Sequence, residues 1–324
     1  MPTIPNPTCF GGLKFGGDDG ILMLYYGIRG CGMKLLSFGE VLWDIYPDKK
    51  CLGGAPLNFA AHFVKAGGEA DIITAVGNDS LGAETLEGIR RLGVGTGCVA
   101  VVNAPTGRCL VTLDENSVPT YDLLSGVAYD MIPPPKDCGD FDVMYFGTLA
   151  LRSGDNLSTV RRLLERCDGK TVFVDMNIRP PFYTSETVRF ALSNADVVKL
   201  SDNEVGFLFG LSPREGAAYI RERFGTQLVF VTCGADGCEF ASLRAQGHVD
   251  GLKGLTVTDT TGAGDIFGGC AVWRLLQSGK APAALDEAEL RGIAEFACRV
   301  AGRSTEKSGG ISAITEMPDE VFMG

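Results

Sequence analysis

Histidine is almost missing from this chain: 324 residues hold only His62 and His248. So few argue against a zinc centre and against a Ser-His-Asp triad. The 11 cysteines include no Cys-x-x-Cys pair. An odd, unpatterned set suits a reducing cytosol, so a cytoplasmic protein is expected. Apolar runs are short, none reaching the roughly 18 residues that would span a bilayer. Positive charge is scarce too, with 29 Lys and Arg against 40 Asp and Glu, a net charge of −11. That balance argues against nucleic acid and against an anionic membrane surface as partners. The Gly-x-x-x-x-Gly-Lys-Ser/Thr phosphate loop does not occur either, so any phosphate grip here is of another kind.

What is present is enough apolar residue, 45% of the chain, to bury a large core. One α/β domain or two modest domains both fit that length. Residues 1–32 stand apart, rich in glycine with early prolines and Asp18-Asp19. A clean strand pattern begins at Met33-Lys34. Met33 is therefore expected as the natural start, and 1–32 as a disordered or non-native extension. The alternative is an N-terminal arm packed on the domain.

From there the pattern alternates. A strand is predicted over Leu35–Tyr46, and a helix from Pro56 to Gly67-Gly68. Ile72–Val76 reads as a strand, Leu81–Leu92 as a helix, and Cys98–Asn103 and Arg108–Asp114 as strands. After Pro133-Pro134-Pro135 come strands at Val143–Phe146, Thr171–Asp175, Asp196–Leu200 and Leu228–Thr232. Helices are expected from Asn156 to Cys167, at 184–193 and 202–209, and after Ser212-Pro213-Arg214-Glu215, a capping box. Hairpin strands around 238–257 and helices at 264–278 and 286–301 complete the chain. Short continuous apolar strands between helices mean a mostly parallel sheet covered on both faces. The β-like stretches near 42–52 and 106–128 fall outside that alternation. They are expected to form a small β-sheet lid on a single α/β domain spanning 33–324.

The segment Asp259-Thr260-Thr261-Gly262-Ala263-Gly264-Asp265 follows the apolar run Leu255-Thr256-Val257 and opens into a helical pattern. It reads as strand, tight turn and helix start. A helix start carries free N–H groups and the positive end of the helix dipole, and the glycines let a phosphate approach the backbone. A carboxylate beside a phosphate repels it. Asp265 makes sense there if it takes a proton from a hydroxyl that attacks phosphorus. The other reading is a plain turn in which Asp265 favours the dipole.

This string resembles the C-terminal signature of the PfkB-type carbohydrate kinases, which have the ribokinase-like fold. Further segments resemble the same family across nearly all of 33–324. Gly53-Gly54-Ala55-Pro56-Leu57-Asn58 is similar to its sugar-binding signature, continued at Val76–Gly82. The resemblance implies a sugar held by Asp44, Gly53, Gly54, Asn58 and Asn177. It implies Asp265 as base, with the backbone of Gly262, Ala263 and Gly264 as the anion hole. Asp175-Met176-Asn177-Ile178-Arg179-Pro180 resembles a segment of fructokinases and 2-keto-3-deoxygluconate kinases, and it puts Arg179 on phosphate. Lys199, Ser201, Thr232, Gly234 and Gly237 are then expected around ATP. Glu204 is expected behind Mg²⁺ and its waters, although Ser201 stands where Asn is common. The family places K⁺ near the residue matching Asp259. A homodimer through the lid is also expected.

Gly-Gly-Ala-Pro together with Asp-x-Asn-x-Arg-Pro-Pro resembles the bacterial fructokinases most, which implies transfer of the ATP γ-phosphoryl to the 6-hydroxyl of fructose. A 2-keto-3-deoxygluconate kinase would need lid cations for its carboxylate. Tyr121-Asp122-Leu123-Leu124 offers an acid instead, and Arg108, in the lid region, could compensate. A catalytically silent sugar-binding relative is the reading of another class.

Overall fold

The apolar runs of the second half of the chain lie side by side as neighbouring strands. The computed structural model describes residues 32–113 and 119–322. In it β1 (Lys34–Phe38), β4 (Glu69–Gly77), β5 (Val99–Val102), β8 (Val143–Gly147), β9 (Thr171–Asp175), β10 (Val197–Ser201) and β11 (Leu228–Thr232) run parallel. The antiparallel strands β12 (Cys238–Ser242) and β13 (Gln246–Val249) finish one edge, giving the order β13-β12-β11-β10-β9-β8-β1-β4-β5. Nearly every residue of β8 to β11 is buried, as a sheet covered on both faces requires.

Helices α1 (Ala55–Lys65), α2 (Ser80–Arg91), α7 (Ala263–Gln277), α8 (Glu287–Ser304) and α9 (Gly310–Glu316) supply residues to one core. Phe59, Phe63, Phe230, Phe267 and Trp273 lie in it. Helices α3 (Gly154–Leu164), α4 (Ser185–Ser193), α5 (Asp202–Phe209) and α6 (Pro213–Phe224) supply the other, with Phe146, Val160, Phe190 and Ile220. The capping box foreseen at Ser212 and Glu215 is present, and α6 ends on Gly225 at φ 73°. A second sheet, β3-β2-β6-β7, is built from β2 (Leu42–Ile45), β3 (Lys50–Gly53), β6 (Gly107–Leu113) and β7 (Pro119–Leu123). This is the small sheet expected to serve as a lid, and Trp43 Nε1 ties it to α2 by donating to Thr85 Oγ1 at 2.8 Å.

Several expectations need correction. The predicted strand Leu35–Tyr46 is two strands. The chain turns at Gly39, where a Cβ would lie 2.6 Å from Pro56 Cγ, so the start of α1 can press in only against glycine. Leu255–Val257 is not a strand. The N–H groups of Thr258 and Asp259 go instead to Thr305 O, at the end of α8, across 2.7 and 3.1 Å. Asn156 does not cap α3. It is buried inside the helix, donates to Tyr129 O and Ala150 O, and accepts from Ile132 N. The helix α9 was not foreseen. The expected extension 1–32 lies outside the described residues apart from Gly32.

Candidate active site

The chain leaves β1 toward β4 on one side and returns to β8 on the other. The β1–β8 boundary is therefore where strand order reverses, the usual ligand crevice of such sheets. The functional side chains gather at the strand ends on this side.

Glycine at position 262 starts α7, with φ 78°. Two contacts hold this turn in place. Asp259 Oδ1 accepts from Thr261 N and Oδ2 from Gly309 N, both at 2.8 Å. A Cβ on Gly262 would lie 2.7 Å from Gly310 Cα. The loop before α7 is thus clasped to the loop before α9. The Ala263 N–H is spent on Thr260 O at 3.2 Å. That removes Ala263 from the expected hole; Gly262, Gly264 and Asp265 are left to supply its donors.

Asp265 lies in the first turn of α7. Its Oδ2 accepts from Asn58 Nδ2 of α1 at 2.8 Å. Burial pushes its carboxyl up, while Lys199, Asn58 and Arg179 pull it down. Asn58 Oδ1 is buried with no partner. Asp44 stands on β2, raised to about 6 by burial against a hydrogen bond with Cys109 and the charge of Arg179. Gly53 is kept free of a side chain there, since its Cβ would lie 3.3 Å from Asp44 Oδ2. At Gly54, φ 112°, a Cβ would meet Glu40 O at 2.4 Å. Asn177 takes φ 37° just after β9. Arg179, two residues on, acts on Glu40, Asp44 and Asp265, so its charge works among the acids.

Lid register separates residues that adjoin in sequence. Asp44 pairs with Cys109, and Cys109 with Leu123; Tyr121, two residues from Leu123, shares their face. Arg108 pairs with Trp43, whose indole reaches α2. Its charge acts on Asp79, so the assignment of Arg108 to the sugar is corrected. Asp122 pairs with Leu110 and likewise lies on the face opposite Tyr121. The electrostatic argument drawn from it does not hold.

On the nucleotide side, Ser201 and Glu204 are committed to each other. Ser201 Oγ donates to Glu204 Oε2 at 2.9 Å, and Ser201 N donates to the same oxygen at 2.7 Å. Glu204 Oε1 accepts from Ile178 N at 2.5 Å. Glu204 therefore caps α5 and fixes the turn carrying Arg179. Thr232 Oγ1 points at Leu200 O, 3.4 Å away. Gly234 takes φ 55° in an open turn, whereas Gly237 is needed by the fold, since its Cβ would meet Val249 O at 2.0 Å. Lys199 is buried and bridges to Asp175. Among the described residues no group of three or more His, Cys, Asp or Glu could hold a metal ion. Asp259, both oxygens on N–H groups, is a brace first.

Sequence reading missed Glu40, whose carboxyl is raised to about 7 by burial and by Asp265 against Arg179 and Arg152. Its Oε2 is buried and unpartnered, as is the Tyr145 hydroxyl. The signal for Glu40 was an acid just after an apolar strand, in the same Gly-Glu-Val-Leu stretch that leads to Asp44.

The chain is similar to known carbohydrate kinases. A family model described as "pfkB family carbohydrate kinase" matches residues 46–317. "Probable fructokinase-5" of Arabidopsis thaliana is 28% identical, covering 88% of this chain and 95% of its own. "Fructokinase" of Klebsiella pneumoniae is 29% identical over 72% of this chain and 81% of its own. Among solved structures, a Vibrio cholerae O395 fructokinase with fructose, ADP and calcium ion bound superposes with a TM-score of 0.74 at 27% identity, covering 87% of this chain and 96% of that one. A Xylella fastidiosa fructokinase with bound ATP gives 0.78 at 24%, covering 86% and 94%, and shows the ribokinase-type fold. With a family model spanning that much of its length, the chain belongs to the pfkB family of carbohydrate kinases.

Proposed function

We propose that this kinase transfers the γ-phosphoryl of ATP to the 6-hydroxyl of D-fructose. One observation carries the reading. Asp265, a half-buried carboxylate in the first turn of α7, is hydrogen-bonded to Asn58 at the end of the sheet that also carries Asp44. Asp44 and Asn58 would grip sugar hydroxyls. Asp265 would accept the proton of the attacking hydroxyl as the new O–P bond forms and the bond to the leaving ADP oxygen breaks. The N–H groups of Gly264 and Asp265 would stabilise charge on the moving phosphoryl group.

Mg²⁺ fits as an ion carried by ATP phosphates and water rather than caged by the chain, in keeping with its reluctance to shed water. It would neutralise phosphate charge. K⁺ near Asp259 has a weaker claim, because both carboxylate oxygens already accept N–H groups. We include a homodimer through the lid in the same reading; Leu110, on the face opposite Tyr121, is exposed there. Sedimentation at two protein concentrations tests it.

Fructose is favoured by the relatives' names and by the lid face around Asp44, where Cys109, Tyr121 and Leu123 bring no cation. A sugar acid such as 2-keto-3-deoxygluconate is the second reading, and Arg179 favours it, as a cation placed among the acids. ATP consumption measured over fructose, 2-keto-3-deoxygluconate, ribose, tagatose and adenosine decides between them. At least tenfold higher kcat/KM for fructose than for the sugar acid is expected. Preference for the acid, lost in Arg179→Ala, establishes the second reading, and no turnover at all a silent binder.

A further inference from the structure

The run Val197-Val198-Lys199-Leu200 of β10 is buried throughout, and a lysine interrupts it. Lys199 is 5% exposed and Asp175, its paired residue on β9, is 0% exposed. Lys199 Nζ donates to Asp175 Oδ1 at 3.1 Å and Oδ2 at 3.0 Å. The same nitrogen presses against the start of α7: a Cβ on Gly264 would lie 2.7 Å from it. No atom of Asp175 is within 4 Å of that point, so the pair turns its positive end toward the turn. A buried ion pair is expensive in a sheet core, and hydrophobic replacements often do as well for stability. Its position indicates another use.

We propose that Lys199 is a positioning residue for phosphoryl transfer: Asp175 pins its ammonium beneath Gly264, where its charge acts on the Asp265 carboxylate and on phosphate gathered at the turn. The inference rests on Asp265 being the base. The groups that face Asp265 are Lys199 from β10, Arg179 and Asp175 from β9 and the loop after it, Asn58 from α1, Glu40 from the loop after β1, and Tyr145 from β8. Of those that pull its carboxyl down, Lys199 is the strongest. Lys199 itself stays charged: burial would lower it, but Asp175, Glu204 and Asp265 raise it. The resemblance placed Lys199 beside ATP; the geometry places it under the catalytic turn.

The test is the pH dependence of kcat/KM, with Tm and ATP-analogue affinity read alongside, on Lys199→Met, Lys199→Arg and Lys199→Met/Asp175→Asn. Lys199→Met is expected to move the acid limb upward by about 1–2 units, the usual effect of losing an opposite charge at this range. Lys199→Arg is expected to keep the limb in place. Should the single neutral variant fail to fold, the double variant leaves no unpaired buried charge, and its limb is also expected to rise, by less because the like charge of Asp175 is lost with it. An unchanged limb in folded Lys199→Met or in the double variant overturns the inference, as does an equal shift in Lys199→Arg. Lys199 is not among the charges acting on Glu40, and a more protonated Asp265 would let Glu40 fall, so a limb owned by Glu40 would not rise. Asp265→Asn separates the two readings. If it remains active, the base assignment fails; if it is inactive and the limb is unmoved, only the role of Lys199 fails.

Discussion

Asn58 Nδ2 donates to Asp265 Oδ2 across 2.8 Å, joining residues 207 apart in the chain. The bond fixes one oxygen of the carboxylate. Among the described residues no hydrogen bond holds the other, which is therefore the oxygen left to receive a proton. α1 and α7 pack against each other in one core, so packing holds the pair in register.

Asp265→Asn should cut kcat by about 10²–10⁴, the common worth of a positioned base. The KM for sugar should change only a few-fold. Steady-state kinetics checks this, and a variant retaining more than a tenth of wild-type kcat would rule out the assigned role.

Glu40 makes stability depend on pH. Its carboxyl titrates at about 7 in the folded chain against an ordinary 4.5. The folded state thus holds the proton more tightly, and stability is lost as pH rises from about 4.5 to about 7, up to roughly 3 kcal/mol in all. Glu40→Gln removes that loss. Its Tm should exceed wild type by several degrees at pH 8 and match it near pH 4.5, as calorimetry at both values would show.

Asp44→Asn should raise the fructose KM by about 10- to 100-fold, the range for a lost charge-assisted hydrogen bond in a buried setting, with the ATP KM little changed. Because Asp44 titrates at about 6, wild-type fructose affinity should weaken as pH falls through that value, and the variant's should not. Calorimetric titration without ATP separates this from catalysis. Equal changes in both KM values contradict the sugar contact.

The two signature glycines should fail in different ways. Gly262→Ala forces φ 78° on a side-chain-bearing residue and drives its Cβ into Gly310, so about 1–2 kcal/mol of stability should go along with activity. At Gly264 the added Cβ meets no backbone, only the Lys199 ammonium, which would have to shift against its bridge to Asp175. Gly264→Ala should lose less Tm than Gly262→Ala and lose kcat. Matching Tm losses in the two variants would show that both glycines serve the fold alone.

How much of this was readable beforehand depended on how local each signal is. The alternation of apolar runs and helices gave the sheet, because a strand buried on both faces must be apolar throughout. The α7 turn, Asp44 and Asn58 could be found because short glycine-containing strings carry them. What stayed hidden depends on partners far along the chain. Asp259 was read as a cation ligand because Gly309, 50 residues away, does not show in a heptapeptide. Ser201 and Glu204 were sent to ATP and Mg²⁺, though their spacing is that of a capping box, the device recognised at Ser212. Tyr121 and Asp122 were treated as neighbours in one site, although strand alternation sends adjacent side chains to opposite faces. Lys199 looked like a nucleotide contact, since nothing local reveals Asp175 beside it.

The clasp between the loops before α7 and α9 makes the order of synthesis matter. All thirteen described strands are complete by Val249. The groups that brace the α7 turn, Thr305 O, Gly309 N and Gly310, arrive more than fifty residues later. A chain that stops short of Gly309 therefore has every described strand of its sheets and keeps the Thr305 contact, but lacks the Gly309 N–H and the Gly310 backbone that hold the α7 turn. The same stretch of chain carries Ala313, Ile314, Met317 and Phe322 into the core, so strand content alone would not report whether the α7 turn is in place.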